Sequence, residues 1–305
     1  MIPGFQTIML PYLQLLGDGK EYSNSHAEEA LSKTFNLSDA ERKQMLPSAR
    51  GLLFYNRIAW ALFHLKKALL IERVSRGAYK ITQRGLDVLK EKPQRVDLPY
   101  LMRYPEFQEF RAKKSTDNGG KKEVIEEQEE HSTETPEEIL DGTYQSLQNI
   151  LAKELLEKIQ KSSPLFFEQV VIDLLLAMGY GGSRAEAASL TKQSGDEGID
   201  GIIKEDRLGL DAIYVQAKRW QDAVGRQVVQ SFVGSLEGKR ANKGVIITTS
   251  YFSKGAEEYV KQIGKKIVLI DGEKLADLMI EHNVGIIKAQ TYEIKKVDAD
   301  YFGEE

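Results

Sequence analysis

Residues 195–220, GDEGIDGIIKEDRLGLDAIYVQAKRW, set both the fold and the chemistry expected of this 305-residue chain. The second half alternates. Ile213, Val215 and Ala217 project to one side of an extended strand, while Tyr214, Gln216 and Lys218 project to the other. Gln216 and Lys218 therefore share a face. A hairpin-like connection returns this strand beside the one that carries Asp200, which brings an acid, an amide oxygen and an ammonium towards one point. Phosphodiester hydrolysis uses such a set: a carboxylate holds a divalent cation, which neutralises a phosphate oxygen and lowers the pKa of a bound water. A nearby lysine orients that water or stabilises the developing charge. Magnesium prefers oxygen ligands and keeps several waters, so few protein ligands suffice.

Outward from this window the pattern is α/β. A helix over Pro164–Met178 closes at Gly179, and strands are predicted near Ala187–Lys192, Ile199–Glu205 and Ile213–Lys218. A helix at Arg226–Gly238, a strand at Gly244–Thr249, a helix at Ser253–Ile263, a strand at Lys266–Asp271 and a helix at Glu273–Glu281 follow. This predicts a mixed sheet flanked by helices on both faces. Glu168 sits on the first of these helices among Val171, Ile172 and Leu175, where a carboxylate is costly unless paired or metal-linked, so it joins the candidate site. Gln230 is a weaker candidate for the scissile region, and Thr248, Thr249 and Ser250 read as a polar strand end. Upstream, Pro136–Ser162 predicts a long amphipathic helix, with Leu140, Tyr144, Leu147, Leu151, Leu155 and Ile159 recurring every three or four residues.

Residues 111–135, RAKKSTDNGGKKEVIEEQEEHSTET, have almost no large apolar side chain and predict a mobile linker. Before them the chain reads as helical with one strand pair. Helices are predicted at Phe5–Leu16, Ser23–Phe35 and Arg50–Lys67, with a capping-box start at Ser38–Glu41. Two β-rich runs flank Ser75-Arg76-Gly77 within Leu69–Thr82, and a helix over Thr82–Lys90 follows. Helices followed by such a hairpin suggest a winged helix-turn-helix. Residues 51–95 carry ten basic and three acidic side chains, whereas residues 1–50 carry five and six. The surplus belongs to the presumed recognition helix and wing, where each neutralised phosphate releases counterions. Tyr55, Asn56, Arg57, Trp60, His64, Lys66 and Lys67 on the helix, with Arg76 on the wing, are the candidate contacts to DNA; Trp60 fits a core position better than a base contact.

The bulk numbers narrow the chemistry further. The chain has no cysteine, which excludes disulfides, thiol catalysis and cysteine-ligated metals. Its four histidines, His26, His64, His131 and His282, show no metal-ligand spacing. The net charge of -4 hides the basic patch. The N-terminus MIPGFQTIMLPYLQLL lacks a basic lead and carries two prolines, so it reads poorly as a signal peptide. No apolar run reaches membrane-spanning length, and a cytoplasmic location is expected.

The residues D-G-I-I…V-Q-A-K resemble the D…(E/D/Q)-x-K signature of the PD-(D/E)xK nuclease superfamily. With G-I-D-G before the strand pair, Q-A-K-R-W after it, and G-R-Q-V-V-Q-S-F (225–232) and K-G-V-I-I-T-T-S (243–250) downstream, the glutamine variant resembles the Mrr family of restriction endonucleases. Y-N-R-I-A-W (55–60) and S-R-G (75–77) fit that family's DNA-binding domain. The resemblance implies an α/β nuclease core preceded by a mainly helical winged-helix domain. It implies Asp200 as the metal-binding acid, Gln216 at the position of the usual second acid, Lys218 as the catalytic lysine, the carbonyl of Ala217 as a further metal ligand, and Glu168 at a common acidic position. It implies Mg2+ or Mn2+ as cofactor and double-stranded DNA, methylated or foreign, as substrate. Gln216 is neutral, so such a metal site has one charge fewer than the common form; Asp196 and Glu197 are the nearby acids, in a G-D-E-G stretch that is more often just a loop. Cutting both strands requires two sites, hence a homodimer or a higher homo-oligomer. The domain boundaries expected are 1–95 for the winged helix, 96–135 for the linker, 136–162 for a connecting helix, 163–290 for the nuclease and 291–305 for a tail. A structure-specific or repair nuclease, and a DNA-binding regulator with an inactive nuclease-like domain, are the alternatives.

Overall fold

The computed structural model describes residues 1–116, 133–181, 198–205, 211–295, 297 and 301, with no side chains over 113–116. Two compact units divide the chain, Met1–Gln145 with Ile294–Glu305, and Ser146–Glu293. Among the described residues no helix is long and apolar enough to cross a membrane.

In the first unit α1 (Phe5–Leu15) buries Phe5, Ile8, Met9, Tyr12 and Leu13. Their spacing of three and four residues lines one helical face. Strand β1 (Tyr22–Ser23) leads into α2 (Asn24–Thr34), which Ser23 caps through His26 N–H. The short α3 (Asp39–Arg42) opens with the expected capping box of Ser38 and Glu41. Helix α4 (Leu53–Lys67) buries Leu53, Phe54, Ile58, Ala61, Leu62 and Leu65. It runs directly into a hairpin of β2 (Ile71–Ser75) and β3 (Ala78–Ile81), closed at Gly77 with φ of 72°. The three strands are antiparallel in the order β1-β3-β2, and α5 (Gln83–Lys90) follows behind a Thr82 cap. Helix α4 stands directly before the β2–β3 hairpin, the order expected of a winged helix.

The expected linker at 96–135 is drawn too early. Its first part folds into α6 (Leu98–Leu101) and α7 (Pro105–Thr116), and Val96, Leu98, Leu101 and Phe107 enter the same core as α1 and α4. Each is at most 2% exposed, and burying one such side chain contributes about 1.5–3 kcal/mol. The apolar-poor composition that argues for a linker belongs only to residues beyond Arg111, and residues 117–132 lie outside the described set. Helix α8 (Pro136–Lys161) then begins in the first unit and ends in the second.

In the second unit Ser163 caps α9 (Pro164–Ala177), and four strands follow: β4 (Gly201–Lys204), β5 (Ala212–Lys218), β6 (Lys243–Thr248) and β7 (Lys266–Ile270). Their order is β4-β5-β6-β7, with β4–β5 antiparallel and the other pairs parallel. Helices α10 (Arg226–Gly238) and α11 (Lys254–Gln262) cover one face through Val229, Phe232, Leu236 and Ala256. The other face buries Leu155 and Ile159 of α8, Phe167, Val171 and Leu174 of α9, and Leu275 and Met279 of α12 (Gly272–Glu281). Strand β6 is buried almost throughout, as a parallel strand covered on both sides must be. The mixed sheet is the one the alternation predicts; the strand expected near Ala187–Lys192 lies outside the described residues.

Candidate active site

The chemistry-bearing residues gather where β4 begins and β5 ends. The antiparallel register pairs Gly201 with Val215, so one residue further Asp200 stands opposite Gln216. Asp200 N–H donates to Val215 O at 2.9 Å, and Ala217 N–H donates to Asp200 Oδ2 at 2.7 Å. The carboxylate is thereby aimed across β5. Gln216 is 4% exposed. Its Nε2 donates to Gly198 O at 2.5 Å, while Oε1 is buried without a hydrogen-bond donor among the described residues. Such an orphan acceptor costs about 1–3 kcal/mol unless something else satisfies it. Gly198 makes the arrangement possible: its φ is +83°, and a Cβ there would lie 2.9 Å from Gln216 Nε2. Lys218 follows on the same face. Its carbonyl accepts from Thr248 Oγ1 at 2.8 Å and from Thr249 N–H at 3.2 Å, which fixes the strand end.

Glu168, on α9, lies close enough to feel the charges of Asp200 and Lys218. Burial pushes its carboxyl above the ordinary range, the negative charge of Asp200 pushes it further, and Lys218 opposes them. Three groups from three elements thus feel one another electrostatically. No group of three or more histidine or acidic side chains able to hold a metal occurs among the described residues. Two carboxylates with a buried amide oxygen nevertheless form an oxygen-donor set that suits a hard divalent cation, and the unmet valence of Gln216 Oε1 fits such an ion.

A cleft of about 710 Å3 opens between this strand end and α10, lined by Gly198, Gln216, Lys218, Trp220, Gln227 and Ser231 among others but not by Asp200 or Glu168. Trp220, Gln227 and Ser231 are not among the sequence-predicted residues. The helix phase could have found two of them: Val229, Phe232 and Leu236 of α10 face the core, which leaves Gln227 and Ser231, four apart, on the flank beside β5. Gln230 is exposed and is not part of that lining. Thr248 and Thr249 are buried and bond the carbonyls of Lys218 and Trp220, a structural role in keeping with a polar strand end. Asp196 and Glu197 lie outside the described residues.

The candidate DNA contacts of the first unit split into two sets. Tyr55, Lys66, Lys67 and Arg76 are exposed. Asn56, Arg57 and Trp60 are half-buried and bonded within the unit, and His64 is buried. Arg57 donates to Glu138 through Nε at 2.9 Å and Nη2 at 2.6 Å, and through Nη1 to the carbonyls of Ile2 and Pro3 at 2.9 and 3.2 Å. Trp60 Nε1 donates to Glu137 at 2.5 Å, and Asn56 Oδ1 accepts from Thr135 Oγ1 at 2.6 Å. His64 is buried and stacks on Phe5 at 5.6 Å. The cause is the start of α8, where Thr135 and Glu138 form a reciprocal cap through bonds of 3.2 and 3.3 Å and lie along α4.

Residues 159–279 match a family model described as a restriction endonuclease, and residues 5–91 match one described as the Mrr N-terminal domain. The Type IV methyl-directed restriction enzyme EcoKMrr of Escherichia coli (strain K12) is 34% identical over 305 residues, covering 99% of each chain. Among solved structures, the DNA modification-dependent restriction endonuclease AspBHI aligns with 44% of this chain and 36% of its own at 23% identity and a TM-score of 0.37. The MspJI restriction endonuclease in complex with a 27-mer oligonucleotide aligns with 50% and 34% at 26% identity and a TM-score of 0.29. Structural likenesses of that size carry no weight beside the full-length sequence match.

Proposed function

Because this chain belongs to the Mrr family of restriction endonucleases, we propose that it is a type IV-like enzyme that hydrolyses phosphodiester bonds of methylated double-stranded DNA at a Mg2+ site formed by Glu168, Asp200 and Gln216. The observation that supports this most is the buried Oε1 of Gln216, which has no hydrogen-bond partner among the described residues and belongs to the residue opposite Asp200 in the β4–β5 register. Asp200, Gln216 Oε1 and the carbonyl of Ala217 would hold the cation, with Glu168 as the additional acid. The bound cation would supply positive charge to a phosphate oxygen and acidify a water.

The chain's own groups do the rest. Lys218 presents an ammonium where charge develops on the phosphate and orients the attacking water. Gly198 keeps the backbone close enough to hold Gln216 in place. Trp220, Gln227 and Ser231 line the path of the strand beside the site. This chemistry is blind to sequence, so target choice falls to the winged helix, whose exposed Lys66 and Lys67 add phosphate attraction. Cutting both strands of a duplex calls for two copies, so the working form is a homodimer or larger homo-oligomer. Such an enzyme acts in the cytoplasm, where incoming DNA arrives.

The test is cleavage of methylated and unmodified plasmid, with and without Mg2+. Nicking or linearisation of the methylated plasmid only with Mg2+ is expected. No cleavage under any condition would overturn the proposal, and equal cutting of both plasmids would remove its methyl-directed part. Preference for branched DNA regardless of methylation would instead support a structure-specific nuclease.

A further inference from the structure

Helix α4 stands directly before the wing, the position from which a helix of this topology enters the major groove. Base edges there are read in two ways: by hydrogen bonds from side chains such as Asn, Gln and Arg, or by apolar contact with a base methyl. On α4 the first way is largely closed. Asn56 is taken by Thr135, Arg57 by Glu138 and the N-terminal carbonyls, Trp60 by Glu137, and His64 is buried. The outward face retains Tyr55 at 43% exposure, Ala59, which is also exposed, and Phe63 at 37%. These lie at successive intervals of four on one side of the helix, with exposed Lys66 three residues beyond Phe63. Lys67 Nζ sits over the rings of Phe63 and Phe110 at 5.6 and 5.0 Å. The face is thus an apolar strip bordered by cations.

We propose that Tyr55, Ala59 and Phe63 read base methylation by apolar contact in the major groove, while Lys66 holds the adjacent phosphates. The inference rests on the methyl-directed reading given above and adds the residues that carry it. A methyl on adenine N6 or cytosine C5 projects into the major groove and places apolar surface where the unmodified base offers only a donor or a C–H. An apolar strip gains from that methyl and has few hydrogen bonds with which to tell one neighbouring base from another. The cations meet the negative charge of the duplex, which commits the strip to DNA rather than to an apolar protein surface. The same geometry predicts strong dependence on modification and loose dependence on sequence.

Binding measured by fluorescence anisotropy in EDTA, where no cutting occurs, tests this. The probes are three duplexes of one sequence: unmodified, N6-methyladenine and 5-methylcytosine. Each methyl group buried against the strip should tighten binding of the wild type about fourfold. Ala59→Gln and Tyr55→Gln place a polar amide on exposed helical positions that tolerate it, and should bring the methylated-to-unmodified ratio down to about one. Tyr55→Phe should keep the ratio. Lys66→Ala should weaken all three duplexes equally and lower the salt slope by about one. If both Gln variants melt like the wild type and retain its ratio, the proposal is wrong while the methyl-directed reading stands. A wild-type ratio of one for both modified duplexes would overturn both.

Discussion

At the start of β4 and the end of β5, Gln216 keeps bonding capacity to spare, whereas on α4 Asn56, Arg57 and Trp60 are taken up by partners within their own unit. In the second unit, Gln216 Oε1 is buried with no donor among the described residues, and Glu168 on α9 is pushed towards its neutral form by burial and by Asp200. On α4, Arg57 makes four hydrogen bonds and is 12% exposed, against a Glu138 partner that is 8% exposed. Both regions bury charged or amide groups at a cost. The difference lies in what offsets that cost. Around α4 the chain itself does so, and the groups hold the unit together. At Gln216 Oε1 no partner among the described residues does so, which suits the proposed cation.

Arg57→Ala tests the structural half of that contrast and carries the largest expected effect on stability. Removing one partner of a buried ion pair leaves the other uncompensated and costs about 3–5 kcal/mol, measurable by urea unfolding. A variant with wild-type stability and weakened DNA binding would return Arg57 to the DNA-contacting set. Gln216→Glu sharpens the other half. Without a cation its carboxylate faces Gly198 O, the carbonyl to which Gln216 Nε2 now donates, so the variant should melt lower. With Mg2+ it should recover, binding the ion about tenfold more tightly than the wild type; a thermal shift no larger than that of the wild type would remove Gln216 from the cation site.

Glu168→Gln carries the smallest effect and has a definite sign. The folded Glu168 holds its proton more tightly than an unfolded glutamate does. Its contribution is therefore present below the unfolded pKa and is lost as pH rises through the folded one. Cation-free Glu168→Gln should melt above the wild type at neutral pH, with the gap closing below the ordinary carboxylate range. A gap that widens on acidification would mean that Glu168 is stabilised as an anion, contrary to its placement beside Asp200.

The two regions were also unequally legible. A strand's period of two assigns Gln216 and Lys218 to one face without knowledge of what covers it, and a neighbouring antiparallel strand carries Asp200 to them. The α/β order therefore reads directly from residues 164–281. A helix face is harder, because the alternation that marks Leu53, Ile58 and Leu65 as core does not say what lies on the flank. At Asn56, Arg57 and Trp60 the partner comes from Thr135, Glu137 and Glu138, far along the chain, and only the T-P-E-E spacing hints at a helix start there. The linker boundary was misplaced for a related reason: Val96–Phe110 is rich in apolar side chains that dock on α4 and α1, and the charged composition of the following residues does not extend back to it. Trp220 at the cleft had no periodic signal, since it follows the end of β5.

Single-turnover cleavage of methylated plasmid by Lys218→Ala, in saturating Mg2+ beside the wild type, addresses the proposed site most directly. Lys218 shares a strand face with Gln216 and acts on Glu168 through space. Loss of one positioned donor to the developing charge predicts a fall in rate of about 10²–10³ with melting temperature unchanged. A folded Lys218→Ala protein that cuts as fast as the wild type would contradict the account.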